Sequence, residues 1–118
     1  MLSPCGGVGM ECRAEVRLYM DSDKNAKGFG KGMVMLLEGV SKYGSINKAT
    51  HAMGMAYSKA WKMLKDAEDE FGVELISRDG ARGSEVTADG KRLIRIYREM
   101  RAAANVTVDD RMKKYSAK

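Results

Sequence analysis

The hydrophobic rhythm of the chain changes twice along its length. From Cys12 to Met20 apolar and polar residues alternate: Ala14, Val16, Leu18 and Met20 are apolar, with Arg13, Glu15, Arg17 and Tyr19 between them. A period of two predicts an extended strand with one buried face. Asp21 to Lys27 is rich in Asp, Ser, Asn and Lys and reads as a turn. Phe29 then begins a short return strand, so an N-terminal β-hairpin is expected. Beyond it the period lengthens. Met33, Leu36, Leu37 and Val40 fall at i, i+3, i+4 and i+7, one face of a helix. Gly44 is placed to cap that helix at its C-terminus. Ser45 is a suitable N-cap for a short second helix, in which Ile46, Ala49, Thr50 and Met53 repeat the spacing as far as Gly54.

A third helix starts near Ala56 or Tyr57. Tyr57, Ala60, Trp61, Leu64, Ala67 and Phe71 form its apolar stripe, and Gly72 closes it. The large ring of Trp61 is assigned to the core. Tyr57 stands both on the stripe and at the helix start, so packing and a phosphate contact through its hydroxyl both remain open. Val73, Leu75 and Ile76 lead a strand to Arg78. Asp79 to Ser84, DGARGS, forms a tip, and Glu85 to Thr87 returns as a second strand. Thr87 caps a final helix carrying Leu93, Ile96, Tyr97 and Met100. The predicted architecture is α+β and mainly helical: a winged helix-turn-helix with an N-terminal β-hairpin and a long C-terminal helix.

A chain of 118 residues supports one core. Residues 1–11, Gly-rich at their start, are expected to be a flexible N-terminus. Residues 12–104 are expected to be the winged helix-turn-helix domain, and 105–118 a polar tail or helix extension. No window has the apolar length to cross a bilayer. The first ten residues lack the basic-then-apolar order of a secretory signal, so a cytoplasmic protein is expected. Cys5 and Cys12 read as free thiols and His51 as a surface or packing residue, because no metal-ligand spacing accompanies them. No metal and no cofactor are expected.

Net charge is +5 and the pI near 9.3, which favours a polyanionic partner. The placement of charge says more. The third helix carries Ser58, Lys59, Lys62 and Lys65 on its leading half and Asp66, Glu68, Asp69 and Glu70 on its trailing half. Helix stability alone favours the opposite order, by about 0.3–1 kcal/mol per charge. A helix entering a DNA groove by its N-terminus accounts for the lysines, which displace counterions from phosphates. The acidic end is then expected to stay solvated, away from the duplex. Arg78 and Arg82 at the hairpin, with Lys91 and Arg92 beyond it, are suited to grip the backbone or enter a minor groove.

Two stretches resemble a known family: FGKGMVMLLEGVSKYGSINKATHAMGMAYSKAWKMLKDAEDEFG and ISRDGARGSEVTADGKRLIRIYREM. Together they look like the N-terminal DNA-binding domain of the molybdenum-dependent transcriptional regulators of ModE type, a LysR-like winged helix. The most specific pieces are GSI with Ala49 downstream, AMGM-x-Y-x-x-AW from Ala52 to Trp61, and V-T-x-x-G-x-x-L-I from Val86 to Ile94. The resemblance implies a homodimer joined through N- and C-terminal helical segments, double-stranded DNA as partner, and the helix from Ala56 as the recognition helix. It places Tyr57, Ser58, Lys59 and Lys62 in the DNA-facing segment. Thr50 and Ala56 depart from the family's small Ala and capping Ser, and the wing is short. The sequence has no room for a molybdate-binding domain, so molybdate sensing is not expected.

The expected DNA-binding set is therefore Ser45, Tyr57, Ser58, Lys59, Lys62, Lys65, Arg78 and Arg82. The expected function is sequence-specific binding of double-stranded DNA by a dimeric transcription regulator. The helix at about 56–71 lies in the major groove and the wing at about 78–85 on the backbone or minor groove. The alternative is a winged-helix protein-interaction module without DNA binding. An enzyme is not expected: no nucleophile–base pair is spaced for catalysis, and GFGKG from Gly28 to Gly32 lacks the strand–turn–helix setting of a phosphate loop.

Overall fold

The computed structural model describes residues 10–20, 26–79 and 83–116. Its order is α1 (Lys31–Tyr43), α2 (Ile46–Met53), α3 (Tyr57–Phe71), β1 (Ile76–Asp79), β2 (Gly83–Val86) and α4 (Ala88–Ser116). This is a mainly helical winged helix-turn-helix, in which β1 and β2 form the wing. The expected mobile start at Met1 to Gly9 and most of the turn at Asp21 to Lys27 lie outside the described residues.

Two compact units divide the chain: residues 17–97, and a smaller one made of the residues before 17 with those from 98 onward. In the larger unit α1 supplies the centre. Met33, Val34, Leu36, Leu37 and Val40 are all buried, as the 3.6-residue period predicted, and Leu36, Leu37 and Val40 are wholly so. α2 adds Ile46, Ala49 and Thr50, and α3 adds Ala60, Leu64 and Ala67. Phe29 is fully buried and meets Phe71 edge to face, with centroids 6.2 Å apart. Gly44, Gly54 and Gly72 all cap their helices in the left-handed conformation that glycine tolerates.

The wing pairs Ile76 with Val86, Ser77 with Glu85, Arg78 with Ser84 and Asp79 with Gly83. The return strand thus begins two residues earlier than the sequence indicated. Thr87 ties the wing to α4: its Oγ1 donates to the Glu74 carbonyl at 2.6 Å and accepts from Gly90 N at 3.0 Å. Gly90 sits against the wing so closely that a Cβ there would lie 2.7 Å from Val86 Cγ1 and 2.8 Å from the Leu75 carbonyl oxygen. That contact is a physical reason for glycine in the V-T-x-x-G piece.

The expected N-terminal hairpin is reduced to one antiparallel bridge, Leu18 with Phe29. Residues 11–17 join no ladder, although Ala14, Val16 and Leu18 are more covered than the residues between them. The alternation therefore reports which residues are covered, not membership of a sheet. In the smaller unit a side chain takes the place of a strand. Asn105 Oδ1 accepts from Ala14 N at 2.9 Å, and its Nδ2 donates to the Ala14 carbonyl at 3.2 Å. Asn105 lies on α4, which runs as one helix to Ser116, so the polar tail is helical as far as the described residues go. No described helix is long and apolar enough to cross a membrane.

Candidate nucleic-acid interface

Helix α3 buries Ala60, Leu64 and Ala67, spaced four and three residues apart. At about 100° per residue the side farthest from that stripe carries Ser58, Lys62, Lys65 and Asp69. All four are exposed. Lys59 falls on one flank and Tyr57 with Trp61 on the other. Tyr57 is 47% exposed and meets Trp61 edge to face at 6.2 Å. Trp61 is only half-buried, a correction to its assignment to the core. It is held at the boundary because the centre is already filled by leucines of α1 and α3. The amphipathic stripe is wider than the buried one.

The trailing half of α3 also corrects an expectation. Three of its four acids hold the chain together instead of lying idle in solvent. Glu70 Oε1 accepts from Gly28 N at 3.1 Å and Oε2 from Met20 N at 3.0 Å. Glu68 Oε2 accepts from Leu75 N at 2.8 Å, fixing the entry to the wing. Asp66 sits between Lys62 Nζ at 3.5 Å and Lys27 Nζ at 3.6 Å. The backbone contacts of Glu68 and Glu70 explain why these two carboxylates stand at the helix end that the dipole disfavours. They leave the leading lysines unexplained by packing: among the described residues neither Lys59 nor Lys65 has an ion-pair partner.

Glu70→Ala is expected to release the segment around Met20 and Gly28. Two charge-assisted bonds to partly exposed amides are at stake, so a loss of about 1–2 kcal/mol is expected. Hydrogen exchange at Met20 and Gly28 should speed up while exchange in α1 holds. Unchanged protection at both amides contradicts the assignment.

Ser45 caps α2, its hydroxyl accepting from Lys48 N at 3.2 Å, and is half-buried. Ser45→Ala is expected to cost about 1 kcal/mol, read as a lower melting temperature. An unchanged midpoint contradicts the capping role. The residue before it reaches the wing. The Gly44 carbonyl accepts from Ser84 N at 3.0 Å, and Gly83 has φ +82°, with space for a Cβ closed by Gly44 O at 2.5 Å. The turn between α1 and α2 thus seats β2 by backbone-to-backbone contact, which requires glycine.

The structure brings Ser58, Lys59, Lys62 and Lys65 together on exposed sides of one helix, with Tyr57 at its start. Arg78 stands in β1 opposite Ser84. Arg82 lies outside the described residues. Sequence reasoning missed Asn47 and Lys48, exposed on the first turn of α2, and Lys31 at the head of α1. The signal was available: these too are polar or basic residues leading helices. It also missed Arg17 and Lys27, which share a cleft with Lys59 and Lys62.

A family profile described as "Bacterial regulatory helix-turn-helix protein, lysR family" matches residues 33–91, from α1 through the wing to the first turn of α4. Among solved structures, that of CbnR, a LysR family transcriptional regulator, is similar with a TM-score of 0.52 and 21% identity. The likeness is one of fold. It covers 68% of this chain and 27% of that one, so this chain spans about a quarter of the solved protein's length. No curated protein matches.

Proposed function

The chain belongs to the bacterial regulatory helix-turn-helix proteins of the lysR family, and from that premise we propose that it is a DNA-binding transcription regulator and how it holds its operator. α3 enters the major groove by its leading half. Ser58, Lys62 and Lys65 face the bases and nearest phosphates, Lys59 a phosphate on one flank, and Tyr57 the edge of the groove on the other. Ser45 meets a phosphate at the start of α2. Arg78 and Arg82 carry the wing to the backbone or minor groove. Residues 12–104 form the DNA-binding domain and 105–118 a C-terminal tail or helix extension.

Two copies related by a two-fold axis read half-sites about 34 Å apart, or a multiple of that. Within LysR-like winged helices we place the chain near the molybdenum-dependent ModE type, on the AMGM-x-Y-x-x-AW and V-T-x-x-G pieces. Molybdate is not proposed as its effector, and no catalytic activity is proposed.

The observation that carries this reading is the row of exposed lysines on the dipole-disfavoured end of α3, without a packing role and, for Lys59 and Lys65, without an ion-pair partner among the described residues. Selection of bound fragments from a pool of random duplexes, at two salt concentrations, tests it. A palindromic consensus with steep salt dependence is expected. Enrichment of no sequence at either salt sinks sequence-specific binding and favours the protein-interaction module.

A further inference from the structure

A cleft of about 310 Å³ opens between the head of α1 and the Lys59 flank of α3. Its bed is apolar: Met33 and Ala67 are buried there, with Met63 half-covered beside them. Gly32 adds no side chain, and a Cβ at that position would lie 3.6 Å from Met63 Cε. Four cations line the cleft, Arg17, Lys27, Lys59 and Lys62, against two carboxylates, Asp66 and Glu70. The carboxylates are already engaged. Both oxygens of Glu70 accept backbone amides, and Asp66 is shared by Lys27 and Lys62. Arg17 spends its Nε on the Lys27 carbonyl and pairs with no carboxylate among the described residues. Lys59 has none either. The cleft thus joins an apolar bed to two uncompensated positive charges at the edge of the DNA-facing helix.

We propose that this cleft binds a small organic anion, a phosphate monoester or carboxylate on an apolar body, and that this ligand and DNA exclude each other. The volume is at the lower end of ligand sites, about 300–1,000 Å³, and suits a molecule of about ten non-hydrogen atoms. An apolar body rests on Met33, Met63 and Ala67, and the anionic head meets Arg17 and Lys59. A bare phosphate leaves the bed unused. The exclusion rests on the reading of α3 given above: a ligand that neutralises Lys59 and crowds Lys62 removes charge that DNA needs. By linkage DNA weakens the ligand by the same factor.

The probe is phenyl phosphate, titrated into the full chain without DNA and followed by amide and methionine-methyl resonances. Saturable shifts at Gly32, Met33 and Met63 are expected, with an affinity on the order of millimolar for a ligand of this size. Inorganic phosphate and benzyl alcohol, which each supply one half of the chemistry, are expected to bind at least about tenfold more weakly. Arg17→Gln is expected to weaken phenyl phosphate by at least about tenfold, and Arg17→Lys, which keeps the charge, by much less. Amide spectra establish that both variants fold.

Equal binding of inorganic phosphate reduces the site to surface cations and overturns the proposal. So do shifts that fail to saturate, or indifference to Arg17→Gln. In a second arm phenyl phosphate is added to the protein on its selected duplex. DNA affinity is expected to fall in proportion to occupancy, and an unchanged affinity overturns the exclusion. If no duplex is bound at all, the reading of α3 fails while the first arm still decides the site.

Discussion

Reversing Lys59 and Lys62 together to glutamate is expected to lower affinity for the selected duplex by on the order of 100-fold or more near 0.1 M salt. Each lysine that neutralises a phosphate contributes about 0.9 to the slope of log affinity against log salt, so the pair accounts for nearly two units. Reversal also sets new negative charge against the phosphates. The fold should tolerate the change. Both residues are exposed, and the Lys62–Asp66 pair is an i,i+4 contact on the surface, worth about 0.3–0.5 kcal/mol. Lys27 remains beside Asp66 in the variant. Fluorescence anisotropy at several salt concentrations, with a melting curve for each protein, separates lost binding from lost folding. A double variant that melts normally and binds as the parent does removes α3 as the recognition element. The milder pair Lys59→Ala and Lys62→Ala should flatten the salt slope with a smaller loss of affinity.

Gly83→Val is expected to be the most disruptive single change in the wing, costing about 3 kcal/mol. A β-branched residue at φ +82° is strained by about 1–3 kcal/mol. Its Cβ would also fall 2.5 Å from the Gly44 carbonyl oxygen, which is backbone and cannot rotate aside. Relief requires β2 to lift from the turn between α1 and α2, breaking the bond from Ser84 N to Gly44 O, worth about 1 kcal/mol. At about 4–8 °C per kcal/mol for a unit of this size, the melting temperature should drop by roughly 12 °C or more. Exchange at Ser84 should lose its protection first. A variant within about 0.5 kcal/mol of the parent would show that the wing does not depend on this seat. Because Arg78 pairs with Ser84 across the wing, a displaced β2 should also lower DNA affinity before the domain melts.

The two predictions differ in how far the sequence led to them. The lysines of α3 were found by the order of charge along one helix, since residues three and four apart share a side and no distant contact is needed to see it. The special place of Gly83 was not visible. DGARGS reads as a turn in which any glycine has a use, and only the approach of Gly44 singles out this one. The acids of α3 fall between these cases. Their positions are plain in the sequence, which predicts a solvated end, but their contacts are not. Their partners are Met20, 50 residues away, Gly28, 42 residues away, and Leu75 beyond the next turn.

Local physical chemistry wrote much of this fold into the sequence. The 3.6-residue stripe of α1, the left-handed glycine caps at Gly44, Gly54 and Gly72, and the caps at Ser45 and Thr87 all depend on neighbours within a turn or two of helix. The tertiary structure alone decided whatever joins distant segments. It tied Ala14 to Asn105 in the smaller unit and bridged Leu18 to Phe29 in the larger, kept Trp61 at the margin of the core, and opened a cationic cleft beside α3. Those outcomes depend on which surfaces meet once the helices have packed, and a pattern of hydrophobic and polar residues records which side of an element is covered, not what covers it.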